Sequence, residues 1–276
     1  MPTTYAHYRF GDECIGVMPE HLQKIVKEHR DLFDIGVHGP DIFFYDLIHH
    51  DIAAFGHQLH EKQAMAFFDN AIRVYQDHAE KEEMMAYLLG FLSHFTFDSQ
   101  AHGYVDRKAE VSQISHNKVE SQYDGYLMRK EGRKVNLVDR SESLKPSRKN
   151  ARIIALFFPF NEQVMYRTCK DHRFVINSLN CISSFKYRLA NFLLDRLMGG
   201  KNRDLPVNPY EEDICKDSNL RLEKLQSKAL KLYPKLLAAI DGEKKLPRYF
   251  NHNFGPWEDY QEIPILSYEE ECKYKV

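Results

Sequence analysis

The sequence is poor in most of the features that assign a chain to a class at sight. Its five cysteines, Cys14, Cys169, Cys181, Cys215 and Cys272, are scattered and odd in number. None falls in a C-x-x-C pair, so they predict free thiols in a reducing compartment rather than a disulfide framework. The apolar run over residues 153–160 is only eight long and contains Pro159. A bilayer span needs about 20 residues, which excludes it as a membrane helix. The N-terminus, Met1-Pro-Thr-Thr-Tyr-Ala-His7, carries no basic segment followed by an apolar one, so a cytoplasmic location is expected. No block of basic residues stands out and the formal net charge is −2, which argues against a nucleic-acid groove driven by positive charge. There is one tryptophan, Trp257, and no alternating strand pattern, repeat or low-complexity tract.

What is present is helical periodicity and a wealth of apolar and aromatic residues. With 43% hydrophobic and 13% aromatic residues, 276 residues suffice to bury a sizeable core. Apolar spacing and start and stop signals predict helices over about 19–30, 54–79, 82–102, 112–130, 151–165, 175–198 and 219–241. Ile42–Tyr45 should begin a short apolar helix after the turn His38-Gly-Pro-Asp41. Gly199-Gly200 should stop a helix, and residues 201–218 and the proline-bearing tail from 242 should be largely irregular. The expectation is an all-α, multi-helix bundle in one domain, 1–276, with its chemistry in 1–130, C-terminal helices within 150–241 and an irregular tail.

The chemistry lies in the histidines, nine of fourteen of which fall between His38 and His116. His94, Asp98 and His102 are spaced by four, which places them on one helical stripe. His116 and Glu120 repeat that spacing on the next helix. A single histidine on an apolar face is usually a core residue with one hydrogen bond. Here, however, two imidazoles and a carboxylate sit among Tyr87, Leu88, Phe91, Leu92 and Phe95. Burying them unpaired would cost several kcal/mol. A divalent ion such as zinc pairs them all. Asp41, after Gly39-Pro40, sits where a helix N-terminus favours an anion, either as a simple cap or as a further ligand. In Gly56-His57-Gln-Leu-His60, His60 shares a predicted stripe with Ala64, Phe67 and Ala71 and is the favoured inward histidine, with His57 the alternative. His7 carries little signal alone.

The order His7, Gly39-Pro40-Asp41, Gly56-His57-x-x-His60, His94-x-x-x-Asp98, His102, His116-x-x-x-Glu120 resembles the bacterial zinc-dependent phospholipases C and the single-strand-specific zinc nucleases that share their architecture. The resemblance covers about residues 1–130 by motif. It implies a helical bundle that holds three zinc ions and hydrolyses phosphodiesters. By position it implies Asp41, His60, His94 and Asp98 for one ion, and His102, His116 and Glu120 for a second. His7 and a bridging Asp98 would serve a third. In secreted members a mature N-terminal tryptophan completes that third site. Trp257 cannot stand in for it, so two to three ions are expected, the third bound most weakly. The tail is also too short for the membrane-binding β-domain of the toxin members, so toxin-like membrane attack is not implied.

The expected activity is metal-activated hydrolysis of a phosphodiester, phospholipids among the candidate substrates, with Asp41 orienting or deprotonating the attacking water. Nucleotides or other small phosphodiesters are the alternative substrates. A helical protein that binds metal without catalysis is the alternative of a different kind. The aromatic residues Phe43, Phe44, Tyr45, Phe157, Phe158 and Phe160 are expected in the core rather than on acyl chains. A di-iron bundle is disfavoured because paired Glu-x-x-His motifs are missing.

Overall fold

The computed structural model describes residues 4–46, 49–180, 183–198, 204–242, 245–255 and 259–276, and among them there is no strand. In chain order the helices are α1 (Thr4–Ile15), α2 (Glu20–Glu28), α3 (Arg30–Gly36), α4 (His50–Glu61), α5 (Ala64–Asp77), α6 (Lys81–Ser112) and α7 (His116–Lys130). They continue as α8 (Arg148–Ala155), α9 (Glu162–Ser178), α10 (Ser184–Met198), α11 (Lys216–Asp241) and the short α12 (Tyr268–Glu271). The all-α expectation holds.

Helix α6 is the axis of the molecule. Every residue from Met84 to Ser99 is buried, as for a helix surrounded on all sides. Helices α1, α2, α3, α5, α7, α8 and α11 all pack on it. The closest crossing is with α3, where glycines meet. A Cβ on Gly90 would lie 2.2 Å from the Phe33 carbonyl oxygen, and one on Gly36 would lie 2.4 Å from that of Tyr87. Backbone contact of this kind tolerates no side chain, and it brings the segment after α3 down onto the middle of α6.

Several boundaries differ from the sequence expectation. No helix was expected at the N-terminus, yet α1 is largely buried, with Tyr5, Ala6, His7, Phe10 and Cys14 inside. The predicted helix 54–79 is two helices, broken at Lys62-Gln63. A continuous helix would bond the Ala64 N–H to the His60 carbonyl. Instead the Ala64 N–H donates to the His252 carbonyl (2.9 Å), and the His60 carbonyl accepts from the Phe254 N–H (3.1 Å). The C-terminal segment thus takes both halves of one helical hydrogen bond. The predicted helix 151–165 ends at Ala155 and resumes at Glu162, because Pro159 withholds a donor and Asn161 caps α9 by accepting from the Val164 N–H. The predicted helix 175–198 is divided between the end of α9 and α10.

Helix α6 runs ten residues beyond His102 before Gln113, in the left-handed conformation (φ 53°), closes it. Ser115 then caps α7, its Oγ accepting the Lys118 N–H at 3.0 Å. The expected stop at Gly199-Gly200, and Cys181 and Trp257, lie outside the described residues.

The tail has only short helical turns, yet it is firmly held. Arg221 of α11 pairs with Glu271 at 2.6 Å, both side chains fully buried. Phe250 and Phe254 enter the core, with Phe68–Phe250 and Phe95–Phe254 ring centroids 4.8 and 5.1 Å apart. Phe43, Tyr45, Phe157 and Phe158 are also buried, as expected, and Phe44 and Phe160 are half-buried. No described helix is long and apolar enough to cross a membrane.

Candidate metal centre

Four elements converge on α6 and bring all eight candidate residues into one interior cluster. His7 comes from α1, Asp41 from the 3-10 turn Gly39–Phe43, and His60 from the last turn of α4. His94, Asp98 and His102 line one stripe of α6, and His116 and Glu120 open α7.

Asp98 is the hub. Its Oδ1 lies 3.0 Å from His7 Nε2 and 3.7 Å from His102 Nε2. Its Oδ2 lies 2.8 Å from His94 Nε2 and 3.1 Å from His60 Nε2. Next to it, Glu120 Oε1 faces His116 Nε2 at 3.0 Å and His102 Nε2 at 3.3 Å. Three sets of donor atoms each gather within 4.8 Å: His7, Asp41 and His94; His60, Asp98 and His102; and His102, His116 and Glu120. The last matches the second set implied by the family resemblance. The other two divide the remaining residues differently, because the His7 ring stacks on His94 at 4.2 Å beside Asp41. A further acidic group, Glu28, His29 and Glu82, gathers at the surface away from this cluster.

His57 stands apart. It is exposed and stacks on Phe44 with centroids 4.4 Å apart, whereas His60 points at Asp98. The helical stripe that singled out His60 does not exist, since α4 ends one residue after it. His60 is directed inward by the packing of α4 on the 3-10 turn and by its backbone bond to Phe254.

Asp41 needs a special approach. Its carboxylate caps nothing: it is fully buried, and neither oxygen has a hydrogen-bond partner. Gly39 has φ +50°, and a Cβ there would lie 2.3 Å from the His94 ring. Only glycine lets the turn pass this closely over His94, and this explains the Gly39-Pro40-Asp41 sequence.

Around these residues lies a layer of orienting groups that the sequence did not reveal. His94 Nδ1 faces the Val37 carbonyl (3.2 Å), His102 Nδ1 the Phe254 carbonyl (2.7 Å) and His116 Nδ1 the Asp106 carboxylate (2.6 Å). Each acceptor favours a proton on Nδ1 and turns Nε2 inward, the orientation of a metal-ligating histidine. Asp106 follows His102 by four residues and could have been read from spacing. Val37 and Phe254 act through backbone carbonyls, which leave no trace in side-chain identity. Asp124, one turn after Glu120, holds α1 in place. Its carboxylate accepts the N–H groups of Tyr5 (3.3 Å) and Ala6 (2.8 Å), so the helix that carries His7 is capped from α7.

The electrostatics call for a cation. Burial lowers His7 to about 4 and His60 to about 3, so these imidazoles are neutral donors. Burial opposes charge on Asp98, but His102, His94 and His7 together hold it well below the usual carboxylate range. Burial likewise opposes charge on Glu120, but His116 leads the groups that hold it well below. For His102, burial is outweighed by Asp98 and Glu120, which push it up to about 9. Burial raises Asp41 to about 7. Carboxylates kept anionic in the interior, two unpartnered Asp41 oxygens and inward-facing imidazole nitrogens suit divalent ions bound through oxygen and nitrogen. A cavity of about 10 Å³ lined by His7, Asp98, His102 and Glu120 has the size of one ion or water.

No curated protein and no solved structure matches the chain. The family model for zinc-dependent phospholipase C matches residues 6–171, a span that covers more than half of the sequence and contains all eight converging residues. With that match and the buried histidine and carboxylate groups around Asp98, the chain belongs to the zinc-dependent phospholipase C family.

Proposed function

We propose that the chain is a zinc-dependent phosphodiester hydrolase of phospholipase C type. The observation that carries this reading is Asp98, one buried carboxylate whose two oxygens are shared among four imidazoles and lie beside the His102, His116 and Glu120 group. Such an arrangement suits neighbouring divalent ions bridged by one carboxylate. Asp41, His60, His94 and Asp98 would hold one ion, and His102, His116 and Glu120 a second. His7 with Asp98 would serve a third, which is the weakest because neutral donors must complete it. Bound zinc supplies Lewis-acid charge for the phosphoryl oxygens and brings water deprotonation into the neutral range.

The chain's own residues do the rest. Asp41, fully buried with neither carboxylate oxygen hydrogen-bonded, would orient the attacking water and take its proton at a carboxylate oxygen. The carbonyls of Val37 and Phe254 and the Asp106 carboxylate keep three imidazoles in the binding tautomer. The packed aromatic residues Phe91, Phe95 and Phe254 exclude bulk water from the inner side. Free thiols at Cys14, Cys169 and Cys215, all buried, accord with a cytoplasmic location.

The test is a panel of phosphodiesters presented to zinc-loaded protein, with and without chelator. A phosphatidylcholine should yield diacylglycerol and a phosphorylated headgroup, and chelation should abolish the reaction. Protein that binds at least two zinc ions yet cleaves neither lipid nor nucleotide diesters would be a metal-binding protein without this catalysis.

A further inference from the structure

Helix α10 is the one long helix that no other described element packs along. It leaves four large apolar side chains in solvent: Phe185 (76% exposed), Phe192 (59%), Leu193 (45%) and Leu189 (43%). At about 100° per residue, positions 185, 189, 192 and 196 fall within an arc of about 60°, with Leu193 and Arg188 about 40° beyond its two ends. The apolar face therefore carries two exposed arginines, Arg188 and Arg196. Lys186 is a third base on the helix, against Asp195 as its single acid, although the whole chain has a net charge of −2. An apolar arc with one arginine beside it and another, Arg196, within it over the Phe192 ring suits a helix that lies in a lipid interface, with rings among the acyl chains and the arginine heads reaching anionic headgroups from apolar stems. An exposed patch of this kind is unusual on a soluble protein unless something covers it.

The opposite side of α10 is tied to the metal centre. Asn191 Oδ1 accepts the Asp204 N–H at 2.9 Å, and Asp204 Oδ2 accepts the Ser115 hydroxyl at 2.7 Å. Lys118 lies 3.6 Å from the same carboxylate. Ser115 is the cap of α7, whose first residue is His116. Among the eight converging side chains His116 is the most exposed, at 27%, although its inward-facing Nε2 is buried.

We propose that the exposed face of α10 docks the protein on anionic phospholipid surfaces and so holds the His116 end of the metal centre, its least buried part, near the lipid headgroups. This rests on the phospholipase reading above and adds the surface on which the enzyme works. The docking is peripheral and needs neither a spanning segment nor an added domain.

The test is cosedimentation of the full chain, zinc-loaded, with sucrose-filled vesicles of phosphatidylcholine alone or with phosphatidylserine. Wild-type protein should bind the mixed vesicles, more weakly as salt is raised. Phe185→Ser/Phe192→Ser should bind at least about tenfold less, since each ring contributes apolar area to the acyl region. Arg188→Gln/Arg196→Gln should lose a comparable factor on mixed vesicles and little on pure phosphatidylcholine. These side chains are in solvent, so the variants should keep the wild-type melting transition, and the arginine pair keeps the test decisive should the phenylalanine pair misfold. Binding of either variant equal to wild type, or no wild-type binding to any vesicle, overturns the proposal. A wild-type dimer that Phe185→Ser/Phe192→Ser converts to monomer, with no vesicle binding, would make the face a contact between copies and overturn it as well. Turnover of a dispersed short-chain phosphatidylcholine by wild type is scored separately. Its absence while vesicle binding persists removes the phospholipase reading and leaves the docking face standing.

Discussion

Asp98→Asn is the sharpest perturbation, because it changes one charge at the point where four imidazoles meet. The asparagine is nearly isosteric, so His7 and His60, at 3.0 and 3.1 Å, retain a hydrogen-bonding partner. The metal-free protein should lose some stability, because His102, His94 and His7 favour the Asp98 charge, but Glu120 still faces His102 at 3.3 Å and limits the loss. The zinc-bound protein should change much more. Removing one partner from a buried, compensated charge costs about 3–5 kcal/mol. At about 1.4 kcal/mol per factor of ten, that is roughly a 10²–10⁴-fold loss of zinc affinity. Ligand-linked stability falls with affinity in the same proportion while zinc is in excess. For a chain of this size about 1 kcal/mol moves the melting temperature by roughly 2–4 °C, so the upward shift produced by zinc should shrink by roughly 6–20 °C. Thermal unfolding followed by circular dichroism, in excess zinc and in chelator, gives the double difference, and elemental analysis gives the stoichiometry. If zinc raises the melting temperature of Asp98→Asn as much as that of wild type, Asp98 is not the shared ligand and the proposed arrangement fails at its centre.

Other changes address the supports of the centre. Asp106→Ala removes the acceptor of His116 Nδ1–H and should weaken the ion at His102, His116 and Glu120 about tenfold or more, measured by zinc competition with a chromophoric chelator. Asp124→Ala orphans the buried N–H groups of Tyr5 and Ala6 and should cost roughly 2–4 kcal/mol, read by denaturant unfolding, whereas Asp124→Asn should recover much of it. Gly39→Ala combines a left-handed residue, worth about 1–2 kcal/mol, with a clash on His94, and should lower bound zinc per chain; unchanged stoichiometry would count against the tight turn. In the metal-free protein His102 is raised to about 9, above its unfolded value, so its contribution to stability is fully present below the unfolded value and is lost as pH rises through about 9. Zinc must displace that proton, so apparent zinc affinity should rise about tenfold per pH unit from neutrality toward pH 9; a flat profile between pH 7 and 8 would contradict the charged His102.

The stripe of His94, Asp98 and His102 was legible in the sequence because it depends on local periodicity, and the family resemblance rested on the order of the motifs from His7 to Glu120. His94, Asp98 and His102 repeat every four residues, and His116 and Glu120 repeat that interval, so helical geometry alone places each group on one face. The aromatic and apolar neighbours in α6 already required those polar groups to be paired. Composition and the missing strand pattern likewise sufficed for the all-α class. Tertiary structure decided what depends on partners distant in the chain. The helix expected over 54–79 is broken because His252 and Phe254 take the two groups that Ala64 and His60 would have shared. His7, weak in isolation, reaches Asp98 only because Asp124 caps α1 from α7. The close passage of Gly39 over His94 and the carbonyl of Phe254 behind His102 involve backbone atoms, whose positions no side-chain pattern encodes. Sequence thus determined which donors lie on each helix, since that follows from 3.6 residues per turn. Only the packing of α1, α4 and the C-terminal segment around α6 decided which of them meet, because those contacts are set by burial and hydrogen bonding between segments up to 194 residues apart.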